Sequence, residues 1–222
     1  MTNLSKGLIV SCQAPVNSPL HDPYVIAAMA QAAVNNGAIG VRIDTPSHIQ
    51  AVGEKVEVPI IGLWKQIITG SDVYITPLYD HAVAVAQAGA DIIAIDATTR
   101  NRPGNEKLID IITSIHEKLE KPVMADVDTY EAAKLAIDAG ADIVGTTLFG
   151  YTAATQNYSP PGWELLTQIV ENLDTFVICE GGIASPEMAK KALDLGADAV
   201  VVGGAITGID LLVKAFHSAL ER

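Results

Sequence analysis

A chain of 222 residues suits one domain, 1–222, and lies at the short end for an eightfold barrel. Its formal charge of −12 argues against nucleic acid and anionic membranes as partners, and no window approaches the roughly 20 apolar residues of a membrane helix. Apolar residues make up 49% but aromatics only 5%, so Ala, Val, Ile and Leu must fill the core.

The first strand candidate is GLIVSC (7–12), and the apolar stretch in MTNLSKGLIVSCQAP is too short for a signal peptide. A helical pattern over 22–36 leads to a second strand, AIGVRI (38–43). Helix 46–56 and strand PIIGLW (59–64) follow, then an additional segment, GSDVYITPL (70–78), expected as a short strand or loop. Helix 79–88, strand DIIAID (91–96), helix 105–120 and strand PVMADV (122–127) continue the alternation. After helix 129–139 and strand DIVGTT (142–147) comes the longest polar loop, FGYTAATQNYSPPG (149–162). Helix 161–173, strand FVICEG (176–181), helix 185–195, strand DAVVVG (198–203) and helix 209–220 complete eight βα units.

One phrase recurs at four of these joints: NNGAIGVRID (35–44), QAGADIIAIDA (87–97), DAGADIVGTTL (138–148) and DLGADAVVVGGA (194–205). Gly37, Gly89, Gly140 and Gly196 fit residues that end a helix in the left-handed conformation. The β-branched runs after them read as strands buried on both faces. The pattern predicts an α/β fold, a single (β/α)8 TIM barrel. An open doubly wound sheet competes, but it usually carries a Gly-rich turn after its first strand, and here that turn is SCQAP.

In a barrel of this kind, chemistry sits where the strands end. Those ends carry Gln13, Arg42, Asp44, Lys65, Asp96, Asp126, Asp128, Thr146, Thr147 and Glu180. Lys65 directly follows an apolar run, and partial desolvation there would favour the neutral amine, a base. A lysine reaching into solvent is the equal alternative. Glu180 at the end of FVIC needs a partner, either Lys65 or Arg42 as an ion pair, or a proton-transfer role. Gly181–Gly182 and Gly203–Gly204 let backbone N–H groups approach an anion, and a phosphate is expected there; tight turns alone are the alternative. Asp126 is expected to contact substrate, Asp96 to support, and Arg42 to neutralise a developing oxyanion. The long loop after strand six is expected to cover a substrate. The five histidines, His21, His48, His81, His116 and His217, show no metal-ligand spacing, and a solvated surface role is expected for each. Trp64 and Trp163 read as packing residues. Cys12 and Cys179 lie inside apolar runs, as in a reduced, cytoplasmic protein.

These residues resemble one family, the N-acetylmannosamine-6-phosphate 2-epimerases. The likeness runs through GLIVSCQA (7–14), GAIGVRID (37–44), PIIGLWK (59–65), IIAIDAT (92–98), Arg102–Pro103, VMADVDTYEAA (123–133), IVGTTLFGYT (143–152), CEGGI (179–183) and VVGGAIT (201–207). SCQA, GTTL-x-GYT and VVGGAIT in this order are the specific part. The resemblance implies a (β/α)8 barrel that interconverts N-acetylmannosamine 6-phosphate and N-acetylglucosamine 6-phosphate in amino-sugar and sialic acid breakdown. It implies Lys65 and Glu180 as the catalytic pair, with Gln13, Arg42 and Asp126 on the sugar. It places Gly181, Gly182, Gly203 and Gly204 on the phosphate, with no cofactor and no metal, and it implies a homodimer. Family members often carry Arg-Pro after GGAIT, where the arginine helps hold the phosphate; this chain has Gly208 and Ile209.

The chemistry agrees. The C2 proton of the open-chain sugar lies α to the aldehyde, so a base can remove it and a proton returned to the other face inverts the carbon. An aldolase or ketose-forming isomerase on a phosphate-binding barrel, and a non-catalytic sugar-phosphate sensor, are the competing readings. A retro-aldol route through lysine would have to break and reform a C–C bond.

Overall fold

The computed structural model describes residues 4–221. Eight parallel strands close into a barrel in sequence order. They are β1 (Gly7–Cys12), β2 (Gly40–Asp44), β3 (Ile60–Leu63), β4 (Ile92–Asp96), β5 (Val123–Asp126), β6 (Ile143–Gly145), β7 (Phe176–Glu180) and β8 (Ala199–Val202). Between them run α1 (Pro23–Asn35), α2 (Pro46–Gly53), α3 (Tyr79–Gln87), α4 (Leu108–Leu119), α5 (Tyr130–Asp138), α6 (Trp163–Asn172) and α7 (Pro186–Asp194). A short α8 (Gly204–Thr207) and then α9 (Ile209–Leu220) follow the last strand. The fold is the expected TIM barrel.

Two apolar layers hold it. Alternate strand residues point inward, and Ile9, Ile61, Leu63, Ile92, Met124, Ile143, Ile178 and Val201 fill the barrel itself. The residues between them point outward and pack under the helices; Val10, Ile43, Ile93, Val144, Val177 and Val200 belong to this outer layer. The caps follow from sequence: Asp22 accepts from the N–H groups of Tyr24 and Val25 at 2.9 and 3.1 Å, and Pro23 occupies the first turn of α1.

The recurring phrase gains a second role. Gly37, Gly89, Gly140 and Gly196 all adopt φ near +100°, so the left-handed expectation holds at each. In three copies the next polar residue is an aspartate that stitches two strands. Asp91 donates its N–H to Ile60 O, and its carboxylate accepts from Ile60 N–H at 2.9 Å. Asp142 does the same with Val123, and Asp198 with Val177. These two-way bonds fix the register of β4 on β3, β6 on β5 and β8 on β7 at the end of the barrel away from the strand termini that carry chemistry.

The additional segment after β3 is a third feature. Lys65 and Ile75 form an antiparallel bridge, Gln66 donates to Tyr74 O, and Asp96 donates to Ile75 O. Residues 74–76 are therefore wedged between the ends of β3 and β4. Ile75 is buried and closes the top of the barrel interior.

Helix α9 departs from the pattern. Each of α1 to α7 buries residues against the barrel, whereas α9 buries none. Its apolar residues Ile209, Leu212, Val213, Phe216 and Leu220 form one stripe at helical spacing, and all are exposed. No helix among the described residues is long and apolar enough to cross a membrane.

Candidate active site

The strand ends converge on one mouth, with Arg42 at its floor. The guanidinium is 1% exposed and reaches Asp126 through two bonds, Nη1 to Oδ1 at 2.9 Å and Nη2 to Oδ2 at 2.6 Å. Nη1 also donates to Glu180 Oε2 at 2.6 Å. Burial opposes the charge on Arg42, but Asp126 and then Glu180 outweigh it and hold the guanidinium firmly protonated. Of the partners left open for Glu180, Arg42 is the one it bonds.

Thr147 completes the floor. Its hydroxyl lies 2.6 Å from Asp126 Oδ1 and 3.2 Å from Glu180 Oε2, the same two oxygens that Arg42 Nη1 bridges. Gly145 makes this space, because a Cβ there would stand 2.4 Å from Met124 Cε and 3.3 Å from Asp126 Oδ1. Thr146 fixes the Glu180 backbone, accepting from its N–H and donating to its carbonyl. Burial pushes the Glu180 carboxyl up to about 6; Arg42 opposes the shift and Asp126 adds to it. Asp126 is fully buried under Arg42 and Thr147, so it faces the arginine rather than the open mouth.

Lys65 stands on the rim. Its Nζ donates to Gln13 Oε1 at 2.5 Å, and Gln13 is oriented by its own bond to Ser11 Oγ at 3.0 Å. Of the two readings left open for Lys65, the lysine reaching into solvent is the one found: it is exposed, because the chain leaves the barrel wall at Trp64. Its charge is still felt at Glu180.

The glycine pairs sit on adjacent strand ends, Gly181–Gly182 after β7 and Gly203–Gly204 after β8. Gly181 and Gly182 have φ of +101° and +70°, and a Cβ on Gly182 would meet the Pro160 backbone at 2.7 Å. Glycine is therefore required here by the turn and by the loop above it. Gly203 lets the chain pass Ser11, whose carbonyl accepts from Thr207 Oγ1 at 2.7 Å and pins α8 to β1. Gly204 is open, with nothing nearer than 3.9 Å to a Cβ. Gly208 is not: a Cβ there would lie 2.6 Å from Gly204 O. The sharp turn from α8 into α9 thus leaves no room for a side chain at position 208.

The loop 149–162 forms the wall beside β7. Phe149 and Tyr158 pack with ring centroids 5.7 Å apart, Thr152 bonds Asp128, and Tyr151 flanks Gly181. Two expectations on other residues are settled. His48 is buried and packs edge-on against His21 at 4.5 Å, so it is not a solvated surface residue; it stands on the buried face of α2, turned toward α1. Trp64 and Trp163 pack as expected, Trp64 against His81 and Trp163 beneath Lys191. The thiols of Cys12 and Cys179 are free, and burial pushes them up to about 12 and about 11, which keeps them unreactive.

Sequence reasoning did not assign Thr147, Tyr74 or Arg102. Tyr74 faces the charges of Asp126, Asp96, Arg100 and Arg42, and burial foremost pushes its hydroxyl up to about 12. Thr147 carried a signal in its place at a strand end. Tyr74 carried only its membership of the additional segment.

A sequence profile described as "Putative N-acetylmannosamine-6-phosphate epimerase" matches residues 26–222. The chain belongs to this family. A relative from Thermosynechococcus vestitus, described in the same words as a 2-epimerase, is 62% identical over 99% of this chain and 96% of its own. One from Listeria welshimeri is 43% identical over 97% and 93%. The solved N-acetylmannosamine-6-phosphate 2-epimerase of Clostridium perfringens superposes with a TM-score of 0.94 at 39% identity, covering 99% of this chain and 96% of that one. A thiamine phosphate pyrophosphorylase from Pyrococcus furiosus, at 18% identity and a TM-score of 0.62, shares the fold alone.

Proposed function

We propose that this epimerase-family chain interconverts N-acetylmannosamine 6-phosphate and N-acetylglucosamine 6-phosphate by proton transfer at C2, in amino-sugar breakdown. The observation that carries the mechanism is an accessible lysine above a buried arginine–dicarboxylate floor. With the open-chain sugar bound, Lys65 in its uncharged amine form takes the C2 proton and the C–H electron pair moves into an enolate. The Arg42 cation beneath the mouth stabilises the negative charge that develops, at a site where few waters compete. Glu180, with a carboxyl near 6, holds or returns a proton close to neutral pH. Gln13 orients Lys65. The N–H groups after β7 and β8, exposed by the glycine pairs, receive the phosphate without the arginine that Gly208 replaces. Proton transfer of this kind needs no redox cofactor.

The test is proton NMR of N-acetylmannosamine 6-phosphate with the protein in deuterated water. The expected result is epimerisation with solvent deuterium at C2 of the product. Partial return of the original proton would assign both transfers to Lys65, and complete exchange would bring Glu180 in as a second proton donor. Epimer formed with no deuterium at C2 would defeat the deprotonation mechanism.

We also propose that a second copy of this chain covers α9. Every other long helix of the barrel has a buried face, and the fold calls for an eighth covering helix after β8. Helix α9 has the apolar stripe such a position needs, but turns outward at Gly208, so exchange of α9 between two copies satisfies both chains. Light scattering should give about twice 23.3 kDa. Phe216→Glu together with Leu212→Glu should shift the mass toward one chain, and a wild-type protein that stays at one chain at tens of micromolar would contradict the exchange.

A further inference from the structure

Four described non-glycine residues have positive φ: Thr45 at 82°, Thr76 at 44°, Asn105 at 57° and Glu120 at 53°. The two threonines are β-branched, for which this region is a true outlier costing roughly 1–3 kcal/mol. Both are bonded to the short piece of chain that carries Lys65. Thr45 N–H donates to Leu63 O at 2.9 Å, and Thr76 N–H donates to Trp64 O at 2.9 Å. Such strain persists only where the surroundings over-determine it, and at Thr76 they do.

Thr76 is fully buried, and each of its polar groups is used. Its hydroxyl accepts from Trp64 N–H at 3.1 Å and donates to Ala94 O at 2.7 Å. Its carbonyl accepts from Arg102 Nη2 at 2.9 Å, while Arg102 Nη1 reaches Asp96 O at the end of β4. The residue before it, Ile75, bridges Lys65. Asp44 Oδ1 accepts from Lys65 N–H at 2.9 Å on the other side. Lys65 itself lies outside the regular strand, where no β-ladder continues to fix its direction. Its direction comes from this clamp and from Gln13.

We propose that Thr76 is a positioning residue of the reaction, holding the Trp64–Lys65 segment so that the Lys65 amine faces C2. The proposal rests on Lys65 as the base. Thr76 touches neither substrate nor reacting atoms, and acts through the backbone of residue 64. A displacement of about 1 Å in a reacting group can cost 10²-fold in rate. The hydroxyl is the separable element: valine keeps the shape and loses both of its bonds, serine keeps them, and glycine relieves the backbone while losing them.

The experiment measures kcat, KM and thermal melting for Thr76→Val, Thr76→Ser and Thr76→Gly, each also in a Lys65→Ala background. Expected are a kcat about 10- to 100-fold lower for Thr76→Val with KM within about threefold, and recovery to within a few-fold in Thr76→Ser. Thr76→Gly carries the test if the valine variant does not fold, and should be folded but slow. In the Lys65→Ala background, the Thr76 changes should add no further loss to the slow C2 exchange followed by NMR. Wild-type kcat in the folded valine or glycine variant overturns the proposal. So does an equal loss with and without Lys65, which would mark a general structural role. Full turnover by Lys65→Ala alone would instead remove the base itself, whatever the Thr76 variants do.

Discussion

Lys65→Ala is expected to lower kcat by about 10³-fold or more while leaving the fold intact. A positioned general base contributes typically 10²–10⁴ in rate, and among the described residues no second amine is bonded to Gln13. Little stability should be lost with it. Lys65 is exposed, its side chain makes one hydrogen bond, and its backbone bonds to Asp44 and Ile75 survive truncation. Surface changes of this kind stay within about 0.5 kcal/mol. Lys65→Arg should be nearly as inactive, because a guanidinium keeps its proton at any accessible pH. The measurement is the NMR time course in deuterated water beside a thermal melt. Turnover within tenfold of wild type in a folded Lys65→Ala protein would dismiss the lysine as the base.

The fold was legible because its signals are local. A glycine that ends a helix and a β-branched run after it are adjacent in sequence, so Gly37, Gly89, Gly140 and Gly196 announced four joints and their φ values agree. The strand ends that carry Lys65, Glu180, Arg42 and Asp126 followed from counting along those runs. What escaped depends on meetings across the barrel. The stitches from Asp91, Asp142 and Asp198 join a helix–strand turn to the neighbouring strand, and nothing in the repeat says which N–H each carboxylate will find. Thr147 matters because it stands between Asp126 and Glu180, residues 21 and 33 positions away. The exposure of Lys65 stayed undecided in the sequence for a related reason. An apolar run predicts a buried strand, but the chain after Leu63 leaves the wall to make room for residues 74–76. Gly208 was visible as a departure from the family's arginine, and the lack of room there was not, since the conflict is with the carbonyl of Gly204 one helical turn earlier.

Arg42→Met should be the most damaging single change at the site, in stability as well as rate. Methionine fills much of the arginine's length but supplies no charge and no donor. Asp126 and Glu180 would remain with Thr147 as their shared hydrogen-bond donor, two carboxylates brought together in a buried floor. Breaking a buried ion pair from one side typically costs about 3–5 kcal/mol, because the remaining charge is left uncompensated. Loss of the oxyanion partner should lower kcat by a further 10²–10³-fold. The pH dependence gives the sign that separates this from simple loss of packing. In the wild type, Glu180 folds with its carboxyl at about 6, above its ordinary 4.5. The folded protein therefore binds the proton more tightly than the unfolded chain. The stability linked to that proton is fully present below about 4.5 and is lost as pH rises through about 6. Without Arg42, the cation that opposes this shift is gone and the two carboxyls face each other with no charge between them, so the proton is held to higher pH. The stability deficit of Arg42→Met should then be greatest near pH 8 and shrink toward pH 5, as one carboxyl takes up the proton that replaces the lost cation. Thermal melts of both proteins across that range decide it. A deficit that stays constant with pH would mean that Arg42 contributes mainly volume, and the charge-paired floor would lose its place in the mechanism.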